Sequence, residues 1–306
     1  MEKAVITINE ENEDTRIDKL LSESIDDMSR TAIKKLIDSG LVSVNGKTVK
    51  GSFKGNDGDR VEIIFPDIMV PEIKPQNIPL DILYEDDDVI VVNKPKNMVV
   101  HPAAGHYSDT LVNALMYHCK DSLSGINGIM RPGIVHRIDK DTTGAIIACK
   151  NDYAHNCIAE QLKEHSINRR YVALACGNFK EDSGRIEGNI GRDPKDRKKM
   201  AITPAGKTAI TNFNVLDHLN RQVNLIECRL ETGRTHQIRV HMASISHPLL
   251  GDEIYGGMSC KGTEGQCLHA KILGFIHPRT KEYIECVAPD PEYFDNLVRI
   301  YGEKKI

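Results

Sequence analysis

Two segments of this chain concentrate side chains able to do chemistry. The first, RPGIVHRIDKDTTGAIIACK, sets His136, Arg137, Asp139, Lys140, Asp141, Thr142 and Thr143 immediately before an apolar run. Loops at strand ends are where catalytic groups gather. A plain connector would need only the turn formers that Arg131, Pro132 and Gly133 already supply. An aspartate placed here is either a reactive carboxylate or an inert one, and His136 and Arg137 can equally serve to satisfy buried backbone carbonyls. The second segment, ETGRTHQIRVHM, alternates Arg234, His236, Arg239 and His241 with small and apolar residues. Read as a strand, it puts Gln237, Arg239 and His241 on one inward polar face, with Ile238 and Val240 on the other. A buried arginine needs a counter-charge, and the obvious partner is Asp139. So paired, the aspartate stays ionised at neutral pH, and an ionised, held carboxylate is a nucleophile. A purely structural salt bridge has the same spacing.

The elements that must position these groups belong to a chain of 306 residues, long enough for one small and one large domain. Hydrophobic residues make up 40% and charged residues 27%, with no tryptophan and no long apolar run, which describes a globular protein without a membrane span. The acidic start MEKAVITINEENEDT is not a secretory signal, so a cytoplasmic location is expected. Eight cysteines form no C-x-x-C pair and read as reduced core residues. Cys260, Cys267 and His269 lie close in sequence, but no second ligand pair completes a metal site, and no metal is expected. Nor does any glycine-rich loop of the phosphate or dinucleotide type occur, so no nucleotide cofactor is expected.

From Thr15 to about Arg60 the pattern is that of a compact unit. Ile17, Leu20, Leu21 and Ile25 share one helical face. A second helix begins at the N-cap Ser29, carries Ile33, Leu36 and Ile37 inward, and stops at Gly40. Arg30, Lys34 and Lys35 remain on its outer face. Asn45-Gly46 within VSVNGKTV predicts a hairpin. The stretch PDIMVPEIKPQNIP holds four prolines and is expected to run extended between domains, giving a first domain at 1–70, a linker at 71–80 and a second domain at 81–306. Beyond it, DILYEDD, DVIVVNK, GAIIACK, YVALACG, AITNFNVL, VNLIECRL and EYIECVAP read as strands, and DTLVNALMYHC and DYAHNCIAEQLKEH as helices. Strands outnumber helices without strict alternation, which predicts an α+β fold with a mixed, largely antiparallel sheet. The net charge of −4 is unevenly spread: Arg192, Lys195, Arg197, Lys198, Lys199 and Lys207 stand against only Asp193 and Asp196, a run that taken alone is a solvated loop.

The residues HRIDKDTTG resemble the H-R-L-D-x-x-T-S-G signature of the RluA/RluD-type pseudouridine synthases. NKPKNMVVHP, RRYVALACG, ETGRTHQIRVH with HPLLGDEIYG, and LHAKILGFIHP follow in that family's order and spacing, so the resemblance runs from about Tyr84 to Pro289. SRTAIKKLIDSGLVSVNG resembles the alpha-L RNA-binding domain of ribosomal protein S-four. The resemblance implies a pseudouridine synthase fold behind an RNA-binding domain, and isomerisation of uridines in RNA without a cofactor. It makes Asp139 the catalytic aspartate, Tyr171 the ring that packs on the target base and Arg239 the partner of the aspartate. Arg137 and Thr142 shape the catalytic loop, with Arg137 placed to fill the gap in the RNA stack. Ile138, Thr143 and Asn97 depart from the family's usual leucine, serine and glycine. The basic residues of both domains, Arg30, Lys34, Lys35, Lys198 and Lys199 among them, then become expected phosphate contacts. The implied partner is 23S ribosomal RNA or a ribosomal particle, and the implied state a monomer. A transfer-RNA synthase, or an RNA-binding assembly factor with an inactive synthase domain, are the alternatives; a metal-dependent nuclease would leave the ordered blocks unexplained.

Overall fold

The computed structural model describes every residue except 1, 26–27, 66–72, 103–105, 121, 129, 197–198 and 304–306. The chain divides into two compact units, Met1–Pro71 and Glu72–Ile306. Among the described residues, no helix is long and apolar enough to cross a membrane.

In the first unit, β1 (Glu2–Thr7) precedes α1 (Ile17–Ser24) and α2 (Arg30–Asp38), and β2 (Val42–Val44), β3 (Lys47–Thr48) and β4 (Arg60–Phe65) follow. The expected signals operate here. The Ser29 hydroxyl accepts the Ala32 N–H at 3.3 Å, and Gly40 follows the helix at φ 72°. Asn45 and Gly46 turn β2 into β3 with φ 49° and 78°, the left-handed pair such a hairpin requires. Ile17, Leu20, Leu21, Ile33 and Ile37 close over Val42, Val44, Val61 and Ile63 of an antiparallel sheet in the order β1-β4-β2-β3.

The second unit is α+β. It runs β5 (Ile82–Glu85), β6 (Val89–Lys94), α3 (Leu111–Cys119), β7 (Thr143–Cys149), α4 (Asp152–Lys163), β8 (Asn168–Cys176), β9 (Ser183–Arg192), β10 (Met200–Ile202), β11 (Lys207–His218), β12 (Val223–Leu230), α5 (Gln237–Ser244), β13 (Leu268–Ile276), β14 (Tyr283–Val287) and α6 (Glu292–Gly302). Its ten strands form one mixed sheet in the order β10-β9-β11-β12-β8-β13-β7-β6-β5, with β14 on β13. The pairings are antiparallel except that of β13 with β7, where His269 and Ala270 face Thr143 and Gly144. The apolar runs VIVV and AIIAC reflect cover on both faces. Ile90, Val92, Ile146 and Ala148 enter one core with α3, while Val89, Val91, Ala145, Ile147 and Cys149 enter another with α4. The proline-rich stretch from Ile73 to Leu80 forms no helix or strand and packs on this unit: Ile73 is buried, and the Lys74 carbonyl accepts from Asn113 Nδ2 at 2.8 Å.

Two sequence expectations are corrected. The segment 237–244 is a helix, α5, not a strand. Gln237, Ile238, Arg239, Val240, His241 and Met242 are all buried, so its polar and apolar alternation reports internal partners rather than two faces. β9 was not among the strands expected from the sequence, nor was β13; the glycines of β9 give no strand signal. They are there to admit neighbours: a Cβ on Gly184 would lie 2.6 Å from the Phe213 ring.

Candidate active site

Asp139 lies in the loop that enters β7. The loop is tightly closed, since the Thr142 N–H donates to the Asp139 carbonyl at 3.1 Å. Lys94, the last residue of β6 and wholly buried, sends Nζ among three carbonyls, those of Pro95 at 2.7 Å, Met98 at 2.9 Å and Lys140 at 3.0 Å. Burial pushes its ammonium down to about 7, against the pull of Asp141 and Asp139. From the other side, Gln266 Nε2 donates to Thr142 Oγ1 at 3.0 Å, and Thr143 Oγ1 meets His269 Nδ1 at 2.8 Å. Gly144, at φ 109°, allows the close join of β7 to β13, because a Cβ there would collide with the Ala270 carbonyl. His136 has a structural role: its Nε2 accepts the Ile147 N–H at 3.2 Å. Burial, with the charge of Arg169, pushes its imidazole down to about 3, so it is neutral. It satisfies a buried backbone N–H rather than a carbonyl.

The pairing of Arg239 with Asp139 is present, Nη1 donating to Oδ2 at 3.0 Å. Sequence reasoning missed its second partner. Asp252 accepts from Nε at 2.7 Å and from Nη2 at 2.8 Å, a two-point fork. Burial disfavours the charge on Arg239, yet the bonds to Asp252 and the charges of both aspartates outweigh it, and the guanidinium's pKa rises. The Tyr255 ring centroid lies 5.0 Å from the Arg239 Cζ. The Tyr255 hydroxyl accepts the Met200 N–H at 2.9 Å and bonds His236 Nδ1 at 2.8 Å. His236, the residue before α5, has φ 55° and brings Nε2 to 3.8 Å from Asp139 Oδ1. Oδ1 therefore has no hydrogen bond among the described residues, while Oδ2 is held.

Residues two apart on a strand share a face, so Arg169 and Tyr171 on β8 both line the cleft that Asp139 lines. This cleft has a volume of about 390 Å³ and also takes in Arg137, Thr142, Arg234 and Arg239. It is within the usual size of a small-ligand site. Tyr171 is buried, and burial raises its phenol's pKa while Arg169 opposes the rise. The structure thus brings Asp139, Tyr171, Arg239, Arg137 and Thr142 together. Arg30, Lys34 and Lys35 are exposed on α2 of the first unit, where Arg30 also pairs with Asp18 at 3.0 Å. Lys199 is half-buried beside β10, and Lys198 lies outside the described residues. Of the groups that sequence reasoning missed, Arg169 alone carried a signal, its two-residue spacing from Tyr171.

The arrangement offers a fixed carboxylate with one unengaged oxygen, a phenol and a positively charged wall. Comparison with known proteins agrees. A family described as RNA pseudouridylate synthase matches residues 88–244, and the S4 domain matches residues 15–61. A Bacillus subtilis protein described as the uncharacterized RNA pseudouridine synthase YlyB is 50% identical over 298 residues, covering 97% of this chain and 98% of its own. The ribosomal large subunit pseudouridine synthase D of Zymomonas mobilis is 46% identical over 307 residues, covering 96% of each chain. The structure of human RNA pseudouridylate synthase domain containing 1 superimposes with a TM-score of 0.57 at 25% identity, over 75% of this chain and 97% of that one. The chain belongs to the RNA pseudouridylate synthase family, behind an S4 domain, and is an isomerase acting on RNA.

Proposed function

We propose that this enzyme converts specific uridines of large-subunit ribosomal RNA to pseudouridine with Asp139 as its nucleophile. The observation that carries the reading is Asp139 Oδ1, which accepts no hydrogen bond among the described residues and has the His236 ring nitrogen 3.8 Å away, on the wall of a cleft it shares with Tyr171, while Oδ2 is held by Arg239. The bond from N1 to the ribose C1′ breaks with its electron pair going to the uracil, the ring turns, and C5 joins C1′. A proton leaves C5 and one is gained at N1, so atoms and electrons balance without a redox partner. Asp139 Oδ1 serves as nucleophile towards either the ribose C1′ or the uracil C6 and is released again before product leaves. Tyr171 packs on the extracted base and assists removal of the C5 proton.

Extraction from the stack costs a few kcal/mol, and stacking on an aromatic ring recovers about 1–3 kcal/mol. Arg137, exposed on the catalytic loop, fills the vacated place, and Arg30, Lys34, Lys35, Lys198 and Lys199 contact phosphates. The relatives named for the ribosomal large subunit support this target, as does the S4 domain. The test is pseudouridine mapping of total RNA from cells lacking the protein, complemented with the native chain or Asp139→Asn. Loss of large-subunit sites restored only by the native chain is expected. Restoration by Asp139→Asn would remove the nucleophile from the reading, and loss confined to transfer RNA would remove the target.

A further inference from the structure

The cleft holds cations that no carboxylate pairs with among the described residues, and Arg169 is the most deeply buried of them. Arg169 is 6% exposed, and its Nε and Nη2 are buried without a hydrogen-bond partner. Among the described residues, no carboxylate pairs with it. Burial holds its guanidinium below the usual arginine range, with the neighbouring Tyr171 phenol opposing the shift and the charge of Arg234 adding to it. Arg234, on the same wall, is likewise without a carboxylate among the described residues; its Nε donates to the Thr208 carbonyl at 3.0 Å. Lys163 and His165, at the end of α4, line that wall too. Gly233 leaves the space in which the Arg169 head lies, since a Cβ there would sit 2.6 Å from Nη1.

A buried cation without an anion is strongly unfavourable, and two guanidiniums side by side add repulsion. Arg239 in the same cleft shows the alternative, with two aspartates around it. A neutral uracil carbonyl would supply hydrogen bonds to Arg169 but would leave both charges uncancelled. A phosphodiester supplies both, and the planar fork of arginine matches its oxygens. We propose that the wall formed by Arg169 and Arg234 binds a phosphodiester adjoining the target uridine, and so sets the register in which the uridine enters the cleft. The proposal rests on the RNA-modifying reading of the cleft and adds a defined phosphate to it.

The test uses the full chain, with the RNA oligonucleotide that carries a mapped uridine and a series in which one phosphate at a time is a neutral methylphosphonate. Binding is read on chains that also carry Asp139→Asn, so that no turnover intervenes. Arg169→Met should bind about tenfold or more weakly, and its log–log salt slope should fall by about 1. One methylphosphonate position should weaken the Arg169 chain by a similar factor and leave Arg169→Met unchanged. Gly233→Ala, which displaces the Arg169 head, should reproduce part of the loss at that same position. Without RNA, Arg169→Met should unfold at no lower a temperature than its parent, because it removes an unpaired buried charge; a lowered Tm with unchanged binding would mark Arg169 as structural and overturn the proposal. So would losses from Arg169→Met and methylphosphonate that multiply at every position. Inorganic phosphate alone should raise the Tm of the parent and not that of Arg169→Met; equal protection of both would place anion binding elsewhere. None of these readouts depends on Asp139 being the nucleophile, so a failed complementation by mapping and a failed phosphate site remain distinct results.

Discussion

The first unit holds one buried carboxylate between two arginines, and the second holds one buried arginine between two carboxylates. Asp18 has 7% of its side chain exposed and meets Arg16 and Arg30, each at 3.0 Å, with 49% and 55% exposed. Arg239 is 5% exposed and meets Asp252, 1% exposed, and Asp139, 18% exposed. The first cluster carries a net positive charge and the second a net negative one. In each, the central member is fully occupied in holding its partners; both arginines of the first cluster are accessible, whereas in the second only Asp139 is, Asp252 being buried with Arg239. Those accessible members suit the proposed tasks: Arg30 faces outward towards phosphates, and Asp139 faces a cleft in which it would attack.

The largest effect should come from removing the exposed member of the second cluster. Asp139→Asn should lower single-turnover conversion by roughly a thousandfold or more. Its Tm should change little, because Arg239 keeps its fork to Asp252. Asp252→Asn should reverse that division. Removing one partner of a buried pair costs about 3–5 kcal/mol, which urea unfolding would register, and the conversion rate should fall because Arg239 no longer has a fixed orientation. Equal stability loss in the two variants would mean that the cluster has no division of labour.

The first cluster is tested by pH. Arg16, by its hydrogen bond, holds the Asp18 carboxyl at about 2, against the ordinary 3.8, with burial opposing and Arg30 assisting. A depressed carboxylate contributes stability that is complete above its unfolded value and is lost as pH falls through its folded value. The stability difference between the native chain and Asp18→Asn should therefore be constant above about pH 4 and shrink towards pH 2, as followed by acid unfolding of the first unit. The smallest effect belongs to the outer face. Lys34→Ala and Lys35→Ala should each reduce the salt slope of RNA binding by about 1 and change the unfolding free energy by no more than about 0.5 kcal/mol.

What could be read from the sequence follows from how local each signal is. The first unit's second helix is bounded by Ser29 and Gly40 and its hairpin is turned by Asn45-Gly46, and all of these act within a few residues of themselves. The Asp139–Arg239 pair was legible over a hundred residues, because a buried charge demands a partner and one polar loop supplied it. The same argument missed Asp252, although it lies only thirteen residues from Arg239, because nothing in HPLLGDEIYG marks the side chain as buried. α5 was mistaken for a strand because a helix buried on every side has no polar face to mark its period. Lys94 reads as surface by type and is interior by partner. That can be known only once the Pro95, Met98 and Lys140 carbonyls have been brought together.

In its protonated form Lys94 can be regarded as a tethered monovalent ion. Its ammonium is coordinated by three main-chain oxygens, two from the turn after its own strand and one from the residue next to Asp139. A compact point charge can sit at the focus of three converging carbonyls, whereas the flat guanidinium of arginine cannot, and a methionine of similar length would leave the oxygens without donors. The loop that carries Asp139 is thus held in part by a coordination sphere that neither charge alone nor size alone reproduces.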